Sequence, residues 1–307
     1  MTKNNNDTNV DGQHIPILLK ESLDLLQLQK GQVVVDCTLN RAGHAREFLK
    51  AIGQEGKLIG IDLDKEAILE AKDNLSLISN NYVLMNDNFA NLEQILSSLE
   101  ILSVDVIYAD LGLSSQELDI SGRGFSFLKN EPLLMTFKSV IEEEDLTAEY
   151  IVNNWGEDTL ADIIYNFADE KYSRRIAKSI VEARKIKEIK TTFDLIEIIK
   201  GSVPIYYQKG HQEGRSHFAT KTFQALRMAT NQEISNIITL LETSKKVLKS
   251  GGRLGVITFH STEDRMVKKT AKDLELIPIN KKVIIPGEEE IKKNPRSRSA
   301  KLRVYTI

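Results

Sequence analysis

Five short apolar runs, with helix-length segments between them, restrict this chain to a largely parallel α/β sheet. They are residues 32–39 (QVVVDCTL), 57–63 (KLIGIDL), 82–86, 104–109 (VDVIYA) and 254–259 (LGVITF). Such runs are β-branched and nearly continuous in apolar character, as strands covered on both faces require. Segments of helical pattern follow them. Residues 40–51 open as a loop and continue as a helix with Phe48 and Leu49. Residues 65–78 place Ala67, Ile68, Ala71 and Leu75 on one face, and 92–99 form a shorter helix. A helix over 231–249 is expected to end at Ser250-Gly251-Gly252, just before the last strand. Between Ser121 and His217 the rhythm gives way to helical patterns at 146–155, 159–167, 171–186 and 193–199. The expected organisation is a flexible tail over 1–13, a sheet domain over 14–120 and an inserted helical domain over 121–217. The chain then returns to the sheet domain over 218–307, ending in a basic segment.

The strand ends carry the chemistry. Asp110 closes the 104–109 run and is followed by Gly112, Ser114 and Ser115. Ligands of open parallel sheets bind outside the carboxyl ends of the strands, so this carboxylate is either a reactive group or a cap for the next helix. Asp62 ends the second run about twenty residues beyond the first turn, the spacing at which a carboxylate accepts hydrogen bonds from ribose hydroxyls. NAD and S-adenosylmethionine enzymes share that feature. The first loop separates them: Asn40-Arg41-Ala42-Gly43-His44-Ala45 has one glycine, too few to cradle a pyrophosphate. Phe89, after the third run, is placed either to stack an adenine or to fill the core. Cys37 reads as packing. His260 has no second histidine at ligand spacing, which favours a structural hydrogen bond, and no metal site is expected.

Composition excludes several classes. The chain has 307 residues, 41% hydrophobic and 28% charged, enough for one large core or two modest ones. No apolar run reaches membrane-spanning length, and the N-terminal residues lack an apolar signal region. A single cysteine excludes a disulfide framework, so a cytoplasmic protein with no membrane partner is expected. The net charge of −3 argues against coating nucleic acid by bulk electrostatics, but it hides basic regions at 172–190 and 292–303. In the first, Ile176, Ala177, Ile180, Val181 and Arg184 fall on one helical face, leaving Arg174, Arg175, Lys178 and Lys185 toward solvent. For a single basic helix a solvated face is the plainer reading.

A series of ordered segments then carries a family resemblance: HIPILLKESLDLL, VDCTLNRAGHA, LIGIDLDKEAI, DLGLSSQELDISGRGFSF, EKYSRRIAKSIVEARK, ATKTFQALRMATNQE, GGRLGVITFHSTEDRMVKK and NPRSRSAKLRV. Nearly end to end, the chain resembles the bacterial small-subunit rRNA cytosine-N4 methyltransferases, the RsmH/MraW family. The resemblance implies a Rossmann-like methyltransferase sheet with an inserted helical domain. It implies S-adenosyl-L-methionine as methyl donor and a decoding-centre cytidine of 16S rRNA, in the small ribosomal subunit, as acceptor. It places cofactor contacts on Ala42, Gly43, His44, Asp62, Phe89, Asp110 and Glu117. The cytosine amine is a weak nucleophile that needs a hydrogen-bond acceptor, and Asp110 either supplies it, by carboxylate or main-chain carbonyl, or serves only the cofactor. His14 belongs to the first matching segment without a chemical role.

Substrate contacts then fall to the basic segments, at Arg174, Arg175, Lys178, Arg296, Arg298, Lys301 and Arg303. Phe125 or Phe127 either sandwich a flipped base or anchor the inserted domain. Arg227 and the 259–265 block wall the substrate cleft. The chain departs from the family pattern in three places. Asn40 and Ala42 replace glycines of T-L-G-x-G-G-H, which puts a methyl beside the methionine moiety. Ser114-Ser115-Gln116-Glu117 replaces serine-serine-proline-glutamine, and residues 132–138 (PLLMTFK) replace P-L-D-M-R-M-D. These changes frame the alternative of a catalytically weakened, ribosome-binding relative. A nicotinamide oxidoreductase has only the strand pattern and Asp62 behind it. Oligomeric state, monomer or homodimer, is not encoded in any of these features.

Overall fold

The structure, a computed structural model, describes residues 16–113, 118, 121–209 and 217–307. It divides into two compact units, one of Met1–Gly112 with Ile234–Ile307 and one of Leu113–Glu233.

The first unit is built on a seven-stranded sheet in the order β3-β2-β1-β4-β5-β7-β6. Its strands are β1 (Val33–Asp36), β2 (Lys57–Asp62), β3 (Tyr82–Asn86), β4 (Val104–Asp110), β5 (Leu248–Thr258), β6 (Ile277–Pro278) and β7 (Lys301–Thr306). The first five pair in parallel, and β7 runs antiparallel between β5 and β6. Val35, Ile59, Ile61, Ile107 and Ala109 pack on one face, and Val34, Leu58, Val106 and Tyr108 on the other. That period-two split is how a strand with both faces covered buries a continuous apolar run. One face is covered by α1 (Leu19–Leu26), α2 (Gly43–Ile52) and α3 (Lys65–Ser76) through Leu26, Phe48, Leu49, Ile52, Ala71 and Leu75. The other is covered from α4 (Leu92–Ser98) by Leu92, Ile95 and Leu96, with further helices described below.

The second unit is helical: α5 (Ala148–Asn154), α6 (Glu157–Ala168), α7 (Ser173–Arg184), α8 (Thr192–Ser202), α9 (Ile205–Lys209) and α10 (Thr220–Thr230). Its core gathers Ile151, Leu160, Ile164, Ile176, Ile180, Leu195, Ile199, Phe223 and Leu226. A capping box between Thr191 and Asp194 starts α8. The sheet unit resumes with α11 (Glu233–Val247) and α12 (Ser261–Asp273), which close its second face with Ile237, Leu240, Leu241, Val267 and Ala271, and continues to α13 (Glu288–Lys293). Among the described residues no helix is long and apolar enough to cross a membrane.

Two expectations are corrected. The helix end at Ser250-Gly251-Gly252 is instead part of β5: α11 runs directly into the strand, whose register on β4 shifts between Val104 and Val106. Gly251, at φ 76°, takes the chain through this irregularity. Residues 218–233, expected in the returning sheet domain, belong to the helical unit, where Phe223, Ala225 and Leu226 of α10 pack in the core. Of the two readings left open for Phe125 and Phe127, the packing shows the core anchor. Phe125 is buried and stacks on Phe137 at 5.7 Å, and Phe127 stacks on His217 at 4.6 Å with Phe223 edge-on at 5.8 Å.

The divergent 132–138 segment is also committed to packing. Leu133 and Met135 are fully buried, and the Asn231 side chain accepts from Phe137 N–H (2.8 Å) while donating to Met135 O (2.7 Å). Truncation by Phe125→Ala leaves a cavity in this core and is expected to destabilise the helical unit by about 3–5 kcal/mol. Guanidinium unfolding of the full chain, followed by far-ultraviolet circular dichroism, would show the earlier transition.

Candidate functional site

β1 and its neighbours β2 and β4 each end in an aspartate, and the loop after β1 leaves the sheet from the central of these strands. Asp62 is pinned to that loop. Asn40 N–H donates to its Oδ2 at 2.7 Å and Asp64 N–H to its Oδ1 at 2.8 Å, leaving each oxygen a further lone pair. On the other side, Asp110 N–H donates to Thr38 Oγ1 at 2.6 Å, and Thr38 N–H to Asp36 Oδ1 at 3.2 Å. Asp110 Oδ1 is buried without a hydrogen-bond partner among the described residues, and Oδ2 lies 3.9 Å from His44 Nδ1. A buried, unpartnered carboxylate oxygen is costly to maintain and marks a place where a ligand donor is wanted.

Burial dominates the electrostatics. It raises the Asp110 pKa to about 7, with the Glu263 charge adding to the rise and Gly112 N–H opposing it. Asp36 is raised to about 7 by burial and by the Asp110 charge, against Thr38 N–H. Asp62 is raised to about 6 by burial and by the Asp64 and Asp36 charges, against the Asp64 and Asn40 amides. All three lie above the ordinary carboxyl value of 3.8, so between about pH 4 and 7 the folded chain binds more protons than the unfolded chain. Their contribution to stability therefore falls as pH rises through that window. Asp264, held low by Arg303, acts in the opposite sense only below about pH 4. Thermal melts at about pH 5.5 and 7.5 should show the higher midpoint at the lower pH. At the higher pH Asp36→Asn is expected to raise the midpoint by about 2–4 °C.

The first loop keeps a glycine-like path without the glycines. Asn40 has φ 46° and Ala42 φ 63°, both left-handed, where alanine in particular is strained. The Ala42 methyl is fully buried, packed in the apolar cluster on the α2 side of the sheet. Gly43 begins α2. The His44 imidazole points into the unit: Nε2 donates to Ile17 O at 2.9 Å and stands 2.9 Å from Tyr108 Oη, which lies 3.3 Å from Ser22 Oγ. Its side chain thus braces α2 against β4. Phe89, in a short 3₁₀ turn after β3, is half-buried against the core, and Cys37 is fully buried.

The structure adds residues that sequence reasoning missed. Asp36 was legible as an acid within an apolar run. Thr38 carried no such signal. Phe259, seen only as part of a block, lies against Gly112: a Cβ there would come 2.4 Å from the Phe259 ring. The glycine after Asp110 therefore lets this aromatic close over the end of β4. His260 caps α12: Nδ1 accepts from Glu263 N–H at 3.3 Å, and Nε2 lies 2.9 Å from Glu263 Oε1.

The basic candidates separate. Arg174, Arg175 and Lys178 are exposed on α7, opposite its buried Ile176, Ala177 and Ile180. Arg298 is exposed and Arg296 half-buried in the turn Pro295–Ser299. Arg303 is a correction. It lies on β7 with its guanidinium engaged by Asp264 at 2.7 and 3.2 Å, and Lys301 approaches the same carboxylate at 3.6 Å. Arg303 thus fastens β7 to α12 rather than presenting a free charge. Arg227 likewise makes a two-pronged pair with Glu233 at 2.8 and 2.9 Å. Glu117, like the tail over 1–13, His14, Ser114, Ser115 and Gln116, lies outside the described residues.

The parallel sheet with its antiparallel β7, and the acids at the ends of β1, β2 and β4, make the first unit a Rossmann-like α/β domain with its polar groups at the strand ends. Residues 11–307 match the MraW methylase family, and the chain belongs to that family. It is 43% identical over 298 residues to the ribosomal RNA small subunit methyltransferase H of Dictyoglomus thermophilum, covering 96% of this chain and 97% of that protein. It is 45% identical over 293 residues to the protein of the same name from Fervidobacterium nodosum, covering 95% and 96%. Among solved structures, an rRNA methylase from Streptococcus thermophilus aligns at 11% identity with a TM-score of 0.44, covering 96% of this chain and 98% of that chain.

Proposed function

We propose that this protein transfers the methyl group of S-adenosylmethionine to the exocyclic N4 amine of a cytidine in the decoding centre of 16S rRNA. The observation that carries the reading is the buried, unpartnered Oδ1 of Asp110 at the end of β4. The residues present fit the cofactor. Asp62 keeps lone pairs for ribose hydroxyls, Phe89 flanks the end of β3, and the loop at 40–45 lacks the glycines a pyrophosphate needs. Bound there, S-adenosylmethionine supplies an electrophilic methyl group.

The cytosine amine is a weak nucleophile because its lone pair is delocalised into the ring, so the protein's contribution is alignment and proton removal. Asp110 Oδ1 accepts a hydrogen bond from the amine and, as the nitrogen–carbon bond forms, takes its proton. A pKa near 7 suits a group that must be ionised before transfer and protonated after it. The left-handed path of Asn40 and Ala42 supports an active enzyme over a weakened relative, since the loop takes a glycine-type conformation despite its side chains.

Small ribosomal subunits are the partner this reading requires, held by cations of the helical unit and the C-terminal turn. Calorimetry should register S-adenosylmethionine and not NAD, and NAD binding alone would return the oxidoreductase reading. For each phosphate that Arg174, Arg175 or Lys178 no longer neutralises, the plot of log affinity against log salt should flatten by about 0.7–0.9. A salt series on subunit binding by the triple glutamate variant checks this, and an unchanged slope would remove these residues from the interface.

A further inference from the structure

The helical unit carries an aromatic and cationic patch of its own. Tyr206, on α9, is 61% exposed, and its hydroxyl hydrogen-bonds that of Tyr172 at the start of α7. Glu170 is fully buried, accepting from Tyr172 N–H at 2.8 Å and from Tyr207 Oη–H at 2.6 Å, so it holds the Tyr172 main chain and the Tyr207 ring. Lys171 Nζ lies 5.0, 5.7 and 5.3 Å from the ring centres of Tyr172, Tyr206 and Tyr207, and the Arg175 guanidinium lies 5.7 Å from that of Tyr172.

Among the described residues neither Lys171, Arg174 nor Arg175 has a carboxylate partner, whereas Lys50, Lys138, Lys187, Lys190, Lys200, Lys246 and Lys249 each do. Lys171 and Arg175 are held instead by π faces. A surface of this kind fits a partner that brings an anion and a flat apolar face together.

We propose that Tyr206 and Tyr172, with Lys171, Arg174 and Arg175, form a stacking platform for an unpaired nucleotide of the RNA substrate. The bases of a duplex are stacked on one another and cannot reach the ring, so the platform selects single-stranded RNA. The proposal rests on the reading of the protein as an RNA methyltransferase, and it adds a base contact where only phosphate contacts were expected.

The test uses the full chain and fluorescence anisotropy with a short single-stranded RNA, an abasic strand of the same length and a duplex. Tyr206→Ala should weaken the single strand by about 5- to 100-fold while leaving the abasic strand and the duplex unchanged. Tyr206→Phe, which keeps the ring and loses the hydroxyl bond, should stay close to the parent. Calorimetry with S-adenosylmethionine on the same preparations reads the methyltransferase assignment separately, so loss of cofactor binding with base-dependent RNA binding intact would fault that assignment alone. Equal binding of abasic and ordinary strands, an unaffected Tyr206→Ala, or displacement of RNA by lower concentrations of polyglutamate would overturn the platform. The last of these would point to an acidic protein surface instead.

Discussion

Asp110→Asn is expected to lower methyl transfer to small ribosomal subunits by about 10²- to 10⁴-fold, the usual contribution of a positioned proton acceptor. The substitution keeps the shape of the side chain, and the main-chain bond from Asp110 N–H to Thr38 Oγ1 does not depend on the carboxylate, so the sheet should survive. What disappears is a group that can take a proton. In the parent the rate should rise with pH through about 7 and then level, because Asp110 acts only when ionised. Burial sets this position first, with the Glu263 charge adding to it. Asp36, itself raised to about 7 by burial and by the Asp110 charge, shares that repulsion once it ionises, His44 Nδ1 stands 3.9 Å away, and Tyr108 is kept neutral by burial. Asp36→Asn removes one opposing charge and should move the rise to lower pH. A pH profile unchanged in Asp36→Asn, or full activity in Asp110→Asn, would take the proton away from this carboxylate.

Asp62→Ala is expected to weaken S-adenosylmethionine by about 100-fold or more, since hydrogen bonds to a charged acceptor are worth about 1.5–3 kcal/mol each. Two effects combine. The ribose loses its acceptor, and the amides of Asn40 and Asp64 lose theirs, so the strained loop at Asn40 and Ala42 is no longer tied to β2. Affinity in the parent should also decline as pH falls through about 6, where the carboxylate becomes protonated. Calorimetry across that range reads both, and a variant that binds as the parent does would separate Asp62 from the cofactor.

The strands that build the site were legible because a buried parallel strand needs an unbroken β-branched run, and each of β1, β2, β4 and β5 has one. Asp62 and Asp110 were legible because they close such runs at the sheet edge where ligands bind. β7 was hidden by its charges. Lys301 and Arg303 suggested a basic tail, although Leu302 and Val304 alternate with them and are fully buried. The direction of the His44 imidazole was not legible, because it depends on Ile17 and Tyr108, brought together only by the tertiary fold. The same holds for Phe125 and Phe127, whose partners Phe137, His217 and Phe223 are set beside them by the packing of the helical unit.

The most direct measurement incubates the protein with labelled S-adenosylmethionine and small ribosomal subunits lacking the modification, then analyses the nucleosides by mass. The account predicts N4-methylated cytidine, formed by the parent and lost in Asp110→Asn. Subunits that are bound tightly but never methylated, by a chain that is folded and binds cofactor, would contradict it.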